Sequence, residues 1–273
     1  MTSIKPCAAA EFQREDQATS GLPMWRECFS AVEAALLHIA PVYYGLGFPA
    51  GDKSAVIVVP GFLGTDAYLV ELWAWLYRME YKPYFSGIGI NAECPNLLIR
   101  RSLNQTIDRA REETGRKVHI IGHSLGGLIA MSAAAQRPQD VASVITLGSP
   151  FRGKAAHPNI LKMAEYVRQF IQAKHGDDVL PSCYTGHCSC DFVNSLNGRL
   201  PSSVQMTAIY SRTDAIVDWQ YCITGDPAKD FEVPGTHVGL VFNPSAYTVM
   251  ARRLENTHRR QGLHAVKTQR PVA

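Results

Sequence analysis

The chain has 273 residues, 46 % of them hydrophobic and 19 % charged, which is enough apolar content to bury one large core and too much for a disordered chain. The formal net charge of +3 gathers at one end, because residues 252–273 hold six Lys/Arg against one Glu, so the body is close to neutral. No basic aromatic platform accompanies that surplus, which excludes nucleic-acid binding as the main task, and no run of about 18 apolar residues is present to span a membrane.

Residues 1–50 read as an N-terminal helical appendage. Met1 to Gly21 is polar and lacks the apolar h-region of a signal peptide, so a cytoplasmic location is the default expectation, with secretion or membrane association as the alternative. A helix is predicted from Met24 to Ala40. The stretch Ala31 to Gly47 contains Glu33, His38 and Pro41 and reads as a packing helix, with peripheral contact to a membrane or lipid droplet as the second reading. Residues 51–258 then alternate strands with helices. Ser54 to Val59 is nearly all β-branched, as suits a parallel strand covered on both faces. The order continues with a helix over Asp66–Tyr81, a strand over Tyr84–Ile90, a helix over Asn96–Thr114 and a strand over Val118–Ile121. A helix over Leu128–Gln136 and a strand over Ser143–Leu147 follow. Strands over Met206–Tyr210 and Lys229–Val233 and a helix over Pro244–Glu255 close the series. Six strands alternating with helices predict an α/β architecture, a doubly wound and mostly parallel sheet with ligands at the carboxyl ends of the strands. Residues 151–201 interrupt the rhythm with one amphipathic helix, Asn159–Lys174, and a cysteine-rich loop. This insertion follows the fourth strand and is read as a cap or lid. Residues 259–273 form a basic tail expected to be disordered.

The segment Val118-His-Ile-Ile-Gly-His-Ser-Leu-Gly-Gly-Leu128 carries the chemistry. A strand stops at Gly122, a helix resumes after Gly127, and Gly122-His123-Ser124-Leu125-Gly126 between them fits a nucleophile elbow. A serine on so sharp a turn has strained backbone, and side chains two residues either way would collide. The turn lifts the hydroxyl to the N-terminus of the next helix, where exposed N–H groups favour developing negative charge.

Serine alone is a weak nucleophile and needs a base, an acid to orient the base, and donors for an oxyanion. Of nine histidines, His237 in Gly235-Thr-His-Val-Gly239 lies between the last strand and the last helix, where a loop can reach the serine. His123 sits beside the serine in sequence with its side chain directed away from the nucleophile. For the acid, Asp214 and Asp218 both follow the strand Met206–Tyr210. Asp214 is favoured because it sits four residues past the strand end, in a turn able to aim a carboxylate. Pro60-Gly61-Phe62-Leu63-Gly64 ends the first strand, and the N–H groups of Phe62 and Leu125 are the candidate oxyanion donors. Phe62, Leu63, Leu125 and Phe151 offer an apolar lining, with Leu63 and Phe151 the candidate contacts for an acyl chain. Ordinary core filling is the competing reading of these side chains.

These motifs, with Leu147-Gly-Ser-Pro150 and Tyr210 to Asp218, resemble those of the α/β-hydrolases, in particular bacterial lipases and esterases with a minimal core. The order Ser124, Asp214, His237 is the one that fold requires. The resemblance spans residues 54–255. It implies the α/β-hydrolase fold, a serine hydrolase cleaving carboxylic esters through an acyl-enzyme on Ser124, and no organic cofactor. One departure is Pro60, which stands where many lipases carry a histidine before the oxyanion glycine. An acyltransferase using the same three residues, or a binding protein on a hydrolase scaffold, are the alternatives. The substrate class and oligomeric state are left open.

Seven cysteines remain. Cys183, Cys188 and Cys190, with His175, Asp177 and His187, offer zinc-type ligands at a spacing that matches no defined pattern, so no metal is assigned. A disulfide from Cys188 or Cys190 to Cys222, which would imply export, is preferred over free thiols.

Overall fold

The β-branched runs become the centre of a single sheet. The computed structural model describes residues 21–153, 156–176, 179 and 188–268, with backbone alone for 258–268. Its strands are β1 (Ala55–Val59), β2 (Lys82–Phe85), β3 (Val118–His123), β4 (Val141–Leu147), β5 (Gln205–Tyr210) and β6 (Asp230–Glu232). They lie in the order β2-β1-β3-β4-β5-β6, and every neighbouring pair is parallel. The chain reverses its direction of travel across the sheet after β2, so the crevice between the carboxyl ends of β1 and β3 is a topological switch point. Ser124 follows β3 there, and Pro60 follows β1.

The helices are α1 (Ser30–Ile39), α2 (Val70–Arg78), α3 (Pro95–Leu98), α4 (Asn104–Thr114), α5 (Leu125–Gln136), α6 (Pro158–His175), α7 (Asp191–Asn197) and α8 (Pro244–Thr268). Alternate residues of β1 face opposite layers. Ala55, Ile57 and Val59 pack with Leu103, Ile107 and Ile129, whereas Val56 and Val58 pack with Leu72, Trp75 and Tyr247. That double burial explains the unbroken apolar run. Each fully buried Val or Ile contributes about 1.5–3 kcal/mol, so the sheet edge that carries the site rests on the stiffest part of the molecule.

Several boundaries differ from the sequence reading, each for a local reason. The strand expected over Tyr84–Ile90 is instead Lys82–Phe85, because Gly87 (φ +73°) and Gly89 (φ +68°) turn the backbone out of the ladder. The single helix expected over Asn96–Thr114 is α3 joined to α4 through a π-helical turn at Ile99–Leu103. The Met24–Ala40 helix opens with a 3₁₀ turn at Met24–Phe29. The short α7 was not anticipated; it buries Phe192 and Val193 in the core beside α5. The last helix runs on to Thr268, so most of the basic tail expected to be disordered is helical, while 269–273 lie outside the described residues.

The preferred disulfide is absent. Cys188, Cys190 and Cys222 are free thiols, and they belong to different parts of the core. Cys188 is buried with α7 and β5, with Cys190 packed alongside, while Cys222 is buried with Tyr210 and Val217. Burial and the neighbouring Cys188 thiol push the Cys190 thiol up to about 11. Cys183, Asp177 and His187 lie outside the described residues. Among the described residues, no three His, Cys, Asp or Glu side chains are gathered in a way that could hold a metal, and no helix is long and apolar enough to cross a membrane.

Candidate active site

Tight packing, rather than the serine itself, dictates the elbow. An added Cβ on Gly126 would overlap the carbonyl oxygens of Val59 and Pro60, and one on Gly122 would overlap the Gly126 backbone. Glycine at these two positions lets α5 start hard against the end of β1. Ser124 is forced to φ 53°, ψ −126°, a conformation that costs on the order of 1–3 kcal/mol and persists only where packing over-determines it. Its N–H is held by the Leu147 carbonyl at 2.8 Å.

His237 and Asp214 meet beside it. His237 Nδ1 lies 2.6 Å from Asp214 Oδ2, with both side chains almost wholly buried. The other carboxylate oxygen, Oδ1, accepts from Ile216 N at 2.8 Å and Val217 N at 2.7 Å, so the acid cannot swing away from the ring. Gly148, at φ +56°, leaves room for the pair, since an added Cβ would come within 3.1 Å of His237 Nδ1. Burial alone would lower the imidazole pKa. The Asp214 charge and hydrogen bond, with the Glu27 charge, outweigh it and raise the ring above its ordinary 6.5. Asp218 has a different job: its Oδ1 accepts from Gln220 N at 3.0 Å and starts a 3₁₀ turn at Trp219–Tyr221. Among the described residues no hydrogen bond joins the Ser124 hydroxyl to His237. In substrate-free hydrolases that contact is often long and tightens only when substrate binds.

His123 explains how three separate loops share one frame. Its Nε2 lies 2.9 Å from the His237 carbonyl oxygen, an acceptor only, so Nε2 carries the proton. Nδ1 is then an acceptor and takes the Tyr68 hydroxyl proton at 2.9 Å, while the Tyr68 oxygen accepts from Gly61 N at 2.6 Å. The rings of His123 and His237 are 4.8 Å apart. Burial, then the nearby His237 charge, drive the His123 pKa down to about 3, and burial holds Tyr68 protonated. Burial thus favours the neutral form of both side chains. Sequence reasoning set His123 aside as pointing away from the nucleophile. Its side chain instead ties the Gly61 loop to the backbone of the base, and only the contact across 114 positions reveals it.

The Pro60–Gly64 loop is braced by Asn91, fully buried, which donates from Nδ2 to Pro60 O at 2.8 Å and accepts from Leu63 N on its carbonyl at 2.9 Å. Gly61 N donates to Tyr68 and Leu63 N to Asn91 O, so the loop backbone is held on both sides of Phe62. Leu125 is the first residue of α5. Leu63, at φ +59°, is 40 % exposed on the outer face of the loop. Phe151 packs against the core next to α5. Within the insertion, α6 runs from the acid loop to the loop after β2. Its start is fixed to the acid loop through His157 N and Ile216 O at 2.6 Å and a bridge from Ala156 to Val217. Its far end is fixed to the loop after β2 by Lys174 and His175, at 2.6 and 2.9 Å from Glu93 Oε2.

The chain is similar to known proteins in sequence and in fold. A family described as "PGAP1-like alpha/beta domain" matches residues 91–218. A triacylglycerol lipase of Pseudarthrobacter phenanthrenivorans is 35 % identical over 118 residues, covering 38 % of this chain and 35 % of that protein. The mitochondrial palmitoyl-protein thioesterase ABHD10 of Mus musculus is 26 % identical over 189 residues, covering 62 % of each. A soluble variant of the monoglyceride lipase of Saccharomyces cerevisiae superposes with a TM-score of 0.53 at 16 % identity, covering 77 % of this chain and 90 % of that one. The chain has the α/β-hydrolase fold. It spans about a third of the length of the curated lipases it matches. The matched region holds the elbow and Asp214, while His237, β1 and the N-terminal helices lie outside it.

Proposed function

We propose that this α/β-hydrolase cleaves carboxylic esters of acyl-chain type. The observation that carries the reading is the buried 2.6 Å contact between His237 and Asp214 at the switch point where the strained Ser124 stands. Ser124 Oγ attacks the ester carbonyl carbon while His237 Nε2 takes its proton. The tetrahedral oxyanion is received by Phe62 N and Leu125 N. His237 then returns the proton to the leaving alkoxide, the alcohol departs, and an acyl-Ser124 ester remains. Water, deprotonated by the same nitrogen, attacks that ester and frees the acid. Asp214 keeps Nδ1–H oriented and offsets the imidazolium charge throughout. Leu63 and Phe151 border the path for the acyl chain, and α6 acts as the lid. The lipases and thioesterase among the relatives support an ester or thioester substrate.

Hydrolysis of p-nitrophenyl esters across acyl lengths, with labelling by a fluorophosphonate, tests this reading. The base must be neutral to act, and its pKa is raised, so kcat/KM should fall as pH drops, with a midpoint above 6.5. A flat profile through that range would remove His237 as the base, and product analysis giving new ester in the presence of glycerol would turn the assignment to acyl transfer.

Peripheral lipid contact belongs to the same proposal. Trp25, Phe29, Val32, Leu36 and Ile39 recur along one side of the N-terminal helices and are each 48 % exposed or more. On α6, Met163, Tyr166 and Phe170 are exposed as well, and the two helical segments touch where Asn159 Nδ2 lies 3.9 Å from Met24 Sδ. Replacing Trp25 and Phe29 by alanine should weaken co-sedimentation with phosphatidylcholine vesicles by about tenfold or more, since each buried aromatic contributes on the order of 1.5–3 kcal/mol. A wild-type protein that stays in the supernatant would end this part of the proposal.

A further inference from the structure

The N-terminal helices lie outside the region shared with the matched family, yet two of their carboxylates reach the candidate site. Glu27, half-buried in the 3₁₀ turn before α1, accepts three backbone N–H groups. Its Oε1 takes Ala215 N and His237 N, each at 3.1 Å, and its Oε2 takes Val238 N at 2.9 Å. Ala215 follows the acid in sequence, and Val238 follows the base. One carboxylate thus holds the loops of Asp214 and His237 together. Glu33, buried in α1, holds the preceding residue through Thr236 Oγ1 at 2.6 Å and Thr236 N at 3.2 Å, and takes Asn243 Nδ2 at 3.2 Å. Gly239 is required beside it, because an added Cβ would overlap the Glu33 carboxylate.

Resting on the ester-hydrolase reading, we propose that Glu27 is a positioning residue for His237, fixing the ring against Asp214 through three amides and favouring the imidazolium formed during attack. Neutral capping would satisfy an amide equally well. A full negative charge near a buried ring adds a Coulomb attraction that strengthens as the ring becomes positive, which is when the transition state needs it. The ionisable groups facing His237 are Asp214 from the acid loop, His123 from the elbow and Glu27 from the N-terminal turn, with Glu33 one residue along the backbone. His123 stays neutral, so Asp214 and Glu27 set the charge around the ring.

The test compares wild type with Glu27→Gln and Glu27→Ala. The Gln variant keeps the volume, removes the charge and turns one acceptor into a donor facing an N–H. The His237 imidazole is titrated by 1H–13C NMR, identified by its loss in His237→Asn, and kcat/KM for a p-nitrophenyl ester is followed against pH in parallel. In both variants the His237 midpoint should move to lower pH and the acid limb of kcat/KM should move with it. kcat should fall about tenfold or more with KM little changed, as for an interaction made mainly in the transition state. An unmoved midpoint and limb, even with a lowered Tm, would make Glu27 a mere structural brace and overturn the proposal. If Glu27→Ala fails to fold, the isosteric Gln variant decides alone. A wild type that turns over no ester while the NMR midpoint still shifts would sink the functional reading and leave the positioning role standing. Ester turnover in wild type with no shift in the variants would do the opposite.

Discussion

Ser124→Ala should abolish ester turnover, by about 10⁴- to 10⁶-fold in kcat, while the thermal midpoint changes by no more than a few degrees. The magnitude follows from serine hydrolases in general, where losing the nucleophile costs about as much as losing the whole triad. Alanine fits the elbow because the strained φ is imposed by Gly122 and Gly126 packing against β1, not by the hydroxyl. Steady-state kinetics beside a calorimetric melt will separate the two effects. Turnover retained within tenfold of wild type would move the reaction to some other group.

Asp214→Asn should lower kcat by about 10⁴-fold, the scale seen when a triad aspartate is replaced by its amide and the ring loses its tautomer. The amide must keep satisfying Ile216 N and Val217 N through its oxygen, which turns its NH₂ group toward His237 Nδ1. That nitrogen must then accept, so the proton moves to Nε2 and the base is blocked. Asp218→Asn is the control. Its carboxylate only starts a 3₁₀ turn, and an amide oxygen can accept the same bond, so kcat should stay within about twofold. Equal losses in the two variants would undo the assignment of the acid.

The parts of this molecule that were legible in sequence are those whose cause is local. The elbow could be read because strand, turn and helix signals are consecutive, and β1, β3 and β4 could be read because buried parallel strands favour β-branched runs. The preference for Asp214 over Asp218 comes from distance past a strand end; in the structure Asp214 Oδ2 lies 2.6 Å from His237 Nδ1, and Asp218 Oδ1 accepts from Gln220 N. What escaped had its cause elsewhere in the chain. β2 ends early because two glycines take positive φ, and the polar sequence of α7 hides a helix whose apolar residues fill a gap beside α5. The preferred cystine rested on sequence proximity to the acid loop, but Cys188 and Cys222 serve separate apolar clusters. Nothing local in the sequence marks the bond of His123 to the base loop or the three amides that Glu27 holds. Their partners are 114 and 210 positions away, beyond the reach of any window.

That separation bears on biosynthesis. Glu27 and Glu33 are synthesised before Ser124, and Ser124 before the loop that both glutamates grip. A nascent chain therefore carries Ser124 before His237 is made, and the contacts that hold the His237 loop form only once these distant segments meet.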